Sequence, residues 1–92
     1  MNTLVWTETF ARTARRFLRR HSDLRPDFEA VLRQLETDPA HPSLRLHPLK
    51  GRHHGKHAVS LTYSYRIVLI LVLIRGEIVL LDVGSHDDVY RD

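Results

Sequence analysis

The feature that most constrains the fold is an unbroken run of eight apolar residues, 67–74. A helix needs roughly 20 such residues to cross a bilayer, so this run is far too short for a membrane span. It also lacks the alternation of apolar and polar residues that marks a strand with one solvent-exposed face. Continuous apolar runs of this kind are typical of strands buried on both faces. We therefore predict a central β-strand over residues 65–74.

Three further segments carry strand signals. Residues 57–62 alternate, with Val59 and Leu61 on one side and small or polar residues on the other, which predicts a half-buried strand. Residues 77–83 follow an Arg-Gly hairpin signal, and the short segment 3–6 is β-branched and aromatic. The sheet should therefore contain about four strands.

Two stretches with helical periodicity lie between the first strand and the others. Thr7 is a good N-cap, and apolar residues then recur at positions 10, 14, 17 and 18. A second stripe occupies positions 28, 31, 32 and 35, and the prolines that follow end it. Five arginines lie mostly off the first stripe, where they form either a solvated face or a contact for RNA, a ribosome or an acidic peptide: Arg12, Arg15, Arg16, Arg19 and Arg20.

The predicted helices come early in the chain and most of the predicted strands come late. This order indicates an α+β domain spanning residues 1–92. We predict a small, mainly antiparallel sheet of about four strands. A two-helix hairpin at the N-terminus packs on one face, and residues 86–92 form a short C-terminal helical turn or tail. Because two helices cover only one face of a strand buried on both, the second face needs the C-terminal tail or a partner.

Charge and cysteine content bound the class of function. The net charge is +3 and the sequence pI is about 9.8, which favours an acidic partner without by itself implying nucleic acid. There is no cysteine, which excludes a disulfide scaffold, a thiol nucleophile and a cysteine-based zinc site. The N-terminus lacks the features of a signal peptide, so we expect a soluble, cytoplasmic protein without a membrane partner.

A basic loop precedes the apolar run. No Asp or Glu occurs between Asp38 and Glu77. Clustered Lys and Arg displace the counterions of phosphate, so the loop suits a polyanion, although a solvated basic loop without a specific partner is the alternative. The cations of this interval are Arg45, Lys50, Arg52, Lys56, Arg66 and Arg75.

The same loop is rich in histidine. Its imidazoles are numerous enough for zinc, but their spacing matches no standard structural site and the loop glycines leave it flexible. We therefore expect no metal and no other cofactor. The histidines concerned are His47, His53, His54 and His57.

Three residues near the strand ends could carry chemistry. His86 follows the last strand, where a histidine can act as acid or base, or can cap or pack a helix. Tyr90 lies one helical turn later on the same side and could stack on a base or close the core. Arg66 heads the apolar strand and needs an anion. That anion is either a phosphate or an intramolecular carboxylate from Asp82, Asp87 or Asp88.

Three motifs together resemble the RelE/ParE superfamily of type II toxins, in its YafQ-like and plasmid-stabilisation branch. They are Leu46-His47-Pro48-Leu49-Lys50-Gly51, Tyr65-Arg66-Ile67-Val68 and Val83-Gly84-Ser85-His86-Asp87-Asp88-Val89-Tyr90. The resemblance implies a toxin held inactive by a cognate antitoxin, in a possible hetero-oligomer. The toxin would cleave mRNA on the ribosome without a metal, by attack of a ribose 2′-hydroxyl on the adjacent phosphate.

The resemblance also implies roles for particular residues. His47, Arg66, His86 and Tyr90 are the candidate catalytic residues. Where that branch has a histidine and an aspartate, this chain has Ser60 and Ser64, which moves acid–base work onto His47, His54, Lys56 and His86. A ParE-like gyrase inhibitor and a catalytically degenerate antitoxin-binding domain are the alternatives. The candidate RNA-binding residues are Arg45, Lys50, Arg52, His53, His54 and Lys56.

Overall fold

A computed structural model describes residues 1–90, so the predicted continuation of the last helical turn through residues 91–92 lies outside the described residues. Helices and strands follow the predicted order, with helices early and most strands late. The elements are β1 (Thr3–Trp6), α1 (Glu8–Arg20), α2 (Arg25–Thr37), β2 (His47–Pro48), β3 (His57–Ser60), β4 (Tyr65–Val72), β5 (Glu77–Ser85) and α3 (His86–Tyr90).

The sheet has five strands in the order β1-β5-β4-β3-β2. Four of them form an antiparallel meander, while β1 pairs in parallel with β5. The α+β class and the mainly antiparallel sheet of about four strands are confirmed, and the structure adds one two-residue edge strand. The parallel pair is possible because α1, α2 and the meander form a long connection between its two strands. β2 escaped prediction because it has only two residues, His47 and Pro48, within the basic loop.

The apolar run behaves as a central strand over its first part only. Ile67, Val68 and Leu69 are buried, whereas β4 ends at Val72. The next two residues lie in a 3-10 turn, where Leu73 is 72% and Ile74 is 96% exposed. The predicted strand over 65–74 is therefore two residues too long, because an apolar pattern alone does not show where a strand leaves the sheet.

The two long helices cover one face of the sheet. Thr7 caps α1 as predicted, since its hydroxyl accepts from the Phe10 amide at 3.1 Å and donates to the Leu80 carbonyl at 2.8 Å. Phe10 stacks against Phe28 with ring centroids 6.1 Å apart, which joins α1 to α2. The main core lies between these helices and the buried side chains of β3, β4 and β5. The arginines of α1 are exposed, as expected of a solvated face.

The short helix α3 packs on the opposite face, against β4 and β5. Val89 is buried there, and so are Ala58 and Val68, which face each other in the register and lie outside the main core. Gly84 permits this packing, since a Cβ on it would lie 3.0 Å from Asp88 Cβ. The C-terminal segment thus covers part of the second face. No helix within residues 1–90 has the length and apolarity to cross a membrane.

Candidate active site

The four candidate catalytic residues line one open cleft of about 360 Å³. The cleft lies where the edge strand β2 and the loop after it meet the start of β4 and the exposed side of α3. Lys50 and His53 of the predicted RNA-binding set also line it, and Leu49 supplies an apolar wall. The catalytic candidates are His47, Arg66, His86 and Tyr90.

The orientation of His47 is set by the backbone. Its Nδ1 lies 2.9 Å from the Arg45 carbonyl oxygen. Because a carbonyl can only accept, Nδ1 carries the hydrogen of this bond. The other ring nitrogen, Nε2, is therefore the acceptor of the neutral imidazole. An exposed histidine fixed in this tautomer can take a proton from a bound substrate through Nε2.

His86 opens α3 without capping it. The cap is Ser85, whose Oγ accepts from the Asp88 amide at 3.2 Å, while Asp88 Oδ2 accepts from the Ser85 amide at 3.4 Å. The His86 side chain is 65% exposed, and its Nδ1 lies 3.7 Å from Asp87 Oδ1. The helix-capping interpretation of His86 is therefore wrong. Its ring packs edge-on against Tyr90, and the exposed part of the imidazole can meet a substrate.

Tyr90 stands between two imidazoles. Its ring meets that of His86 edge-on, with centroids 4.4 Å apart at 81°, and that of His53 at 5.8 Å. The Tyr90 hydroxyl is buried without a hydrogen-bond partner among residues 1–90. Burial raises the pKa of this phenol, and the positive charge of Arg66 opposes the rise. Tyr90 is therefore neutral at physiological pH and can donate a proton or a hydrogen bond but not act as a base.

Arg66 points toward the same side of the sheet as α3. In the register it lies opposite Ser60 on β3 and Gly84 on β5. Within residues 1–90 it forms no ion pair, so the alternative of an intramolecular partner among Asp82, Asp87 and Asp88 is not realised there. Gly84 adds no side chain, which leaves the guanidinium room to meet an anion in the cleft.

The other predicted RNA-binding residues lie outside this cleft. Arg45 contributes its carbonyl to His47 and lines a second cleft. Arg52 and His54 are exposed on the loop, and Lys56 is half-buried. Sequence reasoning missed the roles of the Arg45 carbonyl and of Gly84. A backbone carbonyl leaves no signal in the sequence. Gly84 did have a signal, because it lies in the motif that runs from Val83 to Tyr90.

The loop histidines do not converge on one point. His47 and His53 line the cleft, while His57 belongs to β3 and has Nδ1 buried without a partner among residues 1–90. No group of three or more histidine or acidic side chains in that part of the chain is arranged to hold a metal ion. The donor set of the described residues therefore gives no support to the zinc alternative.

Several solved structures have the same fold and are distant in sequence. YafQ from E. coli superimposes with a TM-score of 0.82 at 13% identity, over 98% of this chain and 99% of that one. A metal-bound toxin from Helicobacter pylori gives 0.81 at 23%, over 98% and 100%. A YoeB/ParE toxin from Agrobacterium tumefaciens gives 0.77 at 19%, over 91% and 98%.

YafQ has also been solved in the E. coli DinJ-YafQ toxin-antitoxin complex, which matches at 0.79 and 15% over 97% of both chains. No family model matches the sequence. No curated protein matches it either. At these identities the likeness establishes the fold alone. The resemblance to the RelE/ParE superfamily drawn from the motifs is thus confirmed at the level of the fold.

Proposed function

We propose that this chain, whose fold is that of the YafQ and YoeB/ParE toxins, is the toxin of a type II toxin–antitoxin pair and an mRNA endoribonuclease that acts on the ribosome. The observation that carries the proposal is the convergence of His47, Arg66 and His86 in one open cleft. Two imidazoles and a guanidinium are the groups that metal-free cleavage of RNA needs. The basic loop beside them suits a phosphate backbone.

In the proposed reaction, the ribose 2′-hydroxyl attacks the adjacent phosphorus. His47 Nε2 takes the hydroxyl proton, because Nδ1 is already committed to the Arg45 carbonyl. A bond forms between O2′ and phosphorus and the bond to O5′ breaks. Protonated His86 gives its proton to the leaving O5′, so the products are a 2′,3′-cyclic phosphate and a 5′-hydroxyl.

The remaining groups of the cleft stabilise charge and position the substrate. Arg66 and Lys50 face the developing negative charge on the non-bridging oxygens. Tyr90 holds the His86 ring by its edge-on contact and offers its own ring face to a base. Ser60 lies opposite Arg66 on the neighbouring strand and carries no acid–base group, so His47 and His86 do this work.

The partner of such a toxin is a cognate antitoxin. YafQ forms a toxin–antitoxin complex with DinJ, which supports the same kind of partner for this chain. Half-buried apolar residues on the open part of the second sheet face provide a surface for it, among them Val5, Ile70 and Val79. The antitoxin and mRNA on the ribosome are thus the two proposed partners.

The test is a translation reaction on a defined message, with the 5′ ends of the message mapped after the protein is added. New ends are expected only when ribosomes are translating. A folded protein that produces no new ends under those conditions would exclude the nuclease.

A gyrase inhibitor is the second candidate, because one structural neighbour is a YoeB/ParE toxin. A supercoiling assay separates the two, since a gyrase inhibitor blocks supercoiling and leaves the message intact. The third candidate, an antitoxin-binding domain with degenerate catalysis, would leave both message and supercoiling unchanged while still binding its antitoxin.

A further inference from the structure

A second open cleft of about 550 Å³ lies beside the candidate active site and has no part in the proposed reaction. Its walls come from α2, from the 3-10 turn Pro42–Leu44 with the residue after it, and from the β3–β4 hairpin. We call it the side cleft. Its polar and aromatic lining includes Asp27, Ser43, Arg45, Ser60, Thr62 and Tyr63.

The side cleft and the active-site cleft share Arg66, which lines both. β2 pairs only with His57 and Ala58, so at Ser60 no strand within residues 1–90 covers the edge of β3. An extended chain whose phosphate is bound at Arg66 can therefore pass over this open edge from one cleft into the other.

Arg45 connects the two clefts through its own backbone. Its φ is +52°, a left-handed conformation that is uncommon for a residue other than glycine. In this conformation its carbonyl accepts from His47 while the residue also lines the side cleft. Outliers of this kind cluster at functional sites, where the surrounding structure holds them.

Tyr63 is an aromatic residue without a packing role. It lies at the tip of the β3–β4 hairpin and is 97% exposed. The turn beneath it is ordered, since the Leu61 amide donates to the Tyr65 carbonyl at 2.8 Å and the Ser64 amide donates to Thr62 Oγ1 at 3.3 Å. A ring held out on a fixed turn beside a cationic cleft suits the stacking of an unpaired base.

We propose that the side cleft is a nucleotide subsite for single-stranded RNA. The base next to the cleaved phosphodiester stacks on Tyr63, and the guanidinium of Arg45 binds the next backbone phosphate. Asp27 on the α2 side of the cleft would repel a phosphate, so that wall faces a base or ribose edge, whose amino or hydroxyl groups a carboxylate can accept from. The inference rests on the proposed function and extends it to how the substrate continues beyond the reacting atoms.

The experiment measures cleavage on translating ribosomes with messages that vary the nucleotides flanking the cleavage site. Tyr63→Ala should raise the half-saturating toxin concentration about 5- to 150-fold, the range for losing one base stack. Its rate at saturation should stay near that of the wild type, and its neighbour preference should flatten. Tyr63→Phe keeps the ring and should behave as the wild type.

Arg45→Gly separates the contribution of the Arg45 side chain to RNA binding from the contribution of its backbone to the orientation of His47. Glycine adopts the positive φ without strain, so the carbonyl that orients His47 is kept while the guanidinium is lost. The half-saturating concentration should rise and its dependence on salt should weaken by about one phosphate contact. Arg45→Lys should recover most of the loss, because it restores the charge.

The two proposals fail in different ways. If the wild type cleaves and both Tyr63→Ala and Arg45→Gly match it in half-saturation and in neighbour preference, the subsite is overturned and the nuclease stands. If the folded wild type produces no new 5′ ends, the proposed function fails and the subsite with it. Tyr63 is almost wholly exposed, so an unchanged thermal midpoint is expected and checks that each variant is folded.

Discussion

At the level of single residues, we propose different roles for the cations and the imidazoles of one cleft. Arg66 carries a permanent charge, whereas an imidazole can take up or give a proton during a reaction. The assignment of His47 as the base depends on one backbone hydrogen bond of 2.9 Å, to the Arg45 carbonyl. The roles can therefore be separated by pH.

Arg66→Ala should lower cleavage at every pH and leave the shape of the pH profile unchanged, because it removes charge stabilisation only. His86→Gln should abolish the limb on which the rate falls as the pH rises, since a general acid must carry a proton. Initial cleavage rates across pH check both variants. A profile that keeps both limbs in His86→Gln would contradict the role of His86 as the acid.

The Tyr90 hydroxyl allows a second test at this scale. Burial raises the pKa of Tyr90 in the folded protein, so the unfolded chain ionises its phenol at a lower pH than the folded protein does. The stability that the neutral phenol contributes is therefore fully present below the usual tyrosine pKa of about 10, and it is lost as the pH rises through the folded value. Tyr90→Phe cannot ionise and should unfold at a higher alkaline pH than the wild type. Circular dichroism during an alkaline titration measures this. A phenylalanine variant that unfolds at the same or a lower pH would show that ionisation of the Tyr90 phenol does not cause the alkaline unfolding.

At the scale of elements, α3 positions two of the four candidate catalytic residues, and Gly84 fixes how closely it packs on β5. In Gly84→Ala the new methyl would lie 3.0 Å from Asp88 Cβ, so the helix must shift. We expect a loss of stability of about 1–3 kcal/mol and a fall in cleavage as His86 and Tyr90 move. Denaturant unfolding and cleavage rate measure the two effects. Ser85→Ala is the control, because it weakens the same helix by about 1 kcal/mol through its cap without a clash.

How much the sequence could predict also differs between elements. The helices and the meander were predictable because apolar periodicity and the Thr7 cap are local signals. The parallel partner of β1 was not, since pairing between the two ends of the chain depends on the route of the whole connection. That His47, Arg66, His86 and Tyr90 act together was implied only by the resemblance, and the sequence did not show that β2, β4 and α3 meet at one cleft. Neither the side cleft nor the tautomer of His47 has a signal in sequence, because both depend on backbone geometry.

At the scale of the whole molecule, apolar surface remains uncovered at one end. Leu73 and Ile74 are exposed at the β4–β5 turn, and the Thr3 amide donates to the Gly76 carbonyl at 2.8 Å, which brings the N-terminus and exposed Met1 to the same end. We expect the isolated protein to be prone to aggregation and its cognate antitoxin to raise its melting temperature.

Leu73→Ser combined with Ile74→Ser tests the origin of the aggregation. Because both side chains are largely exposed, the melting temperature should hardly change while the soluble fraction rises. Light scattering and thermal unfolding on the same samples give both quantities. A wild type that is monodisperse at high concentration and gains no stability from its antitoxin would contradict the expectation.

Measuring cleavage rate and thermal midpoint on the same His86→Ala protein shows whether the cleft of His47, Arg66, His86 and Tyr90 is a ribonuclease active site. The account predicts a loss of roughly 10²- to 10⁴-fold in cleavage for His86→Ala with an almost unchanged midpoint, because the side chain is 65% exposed. An active but destabilised His86→Ala would contradict it.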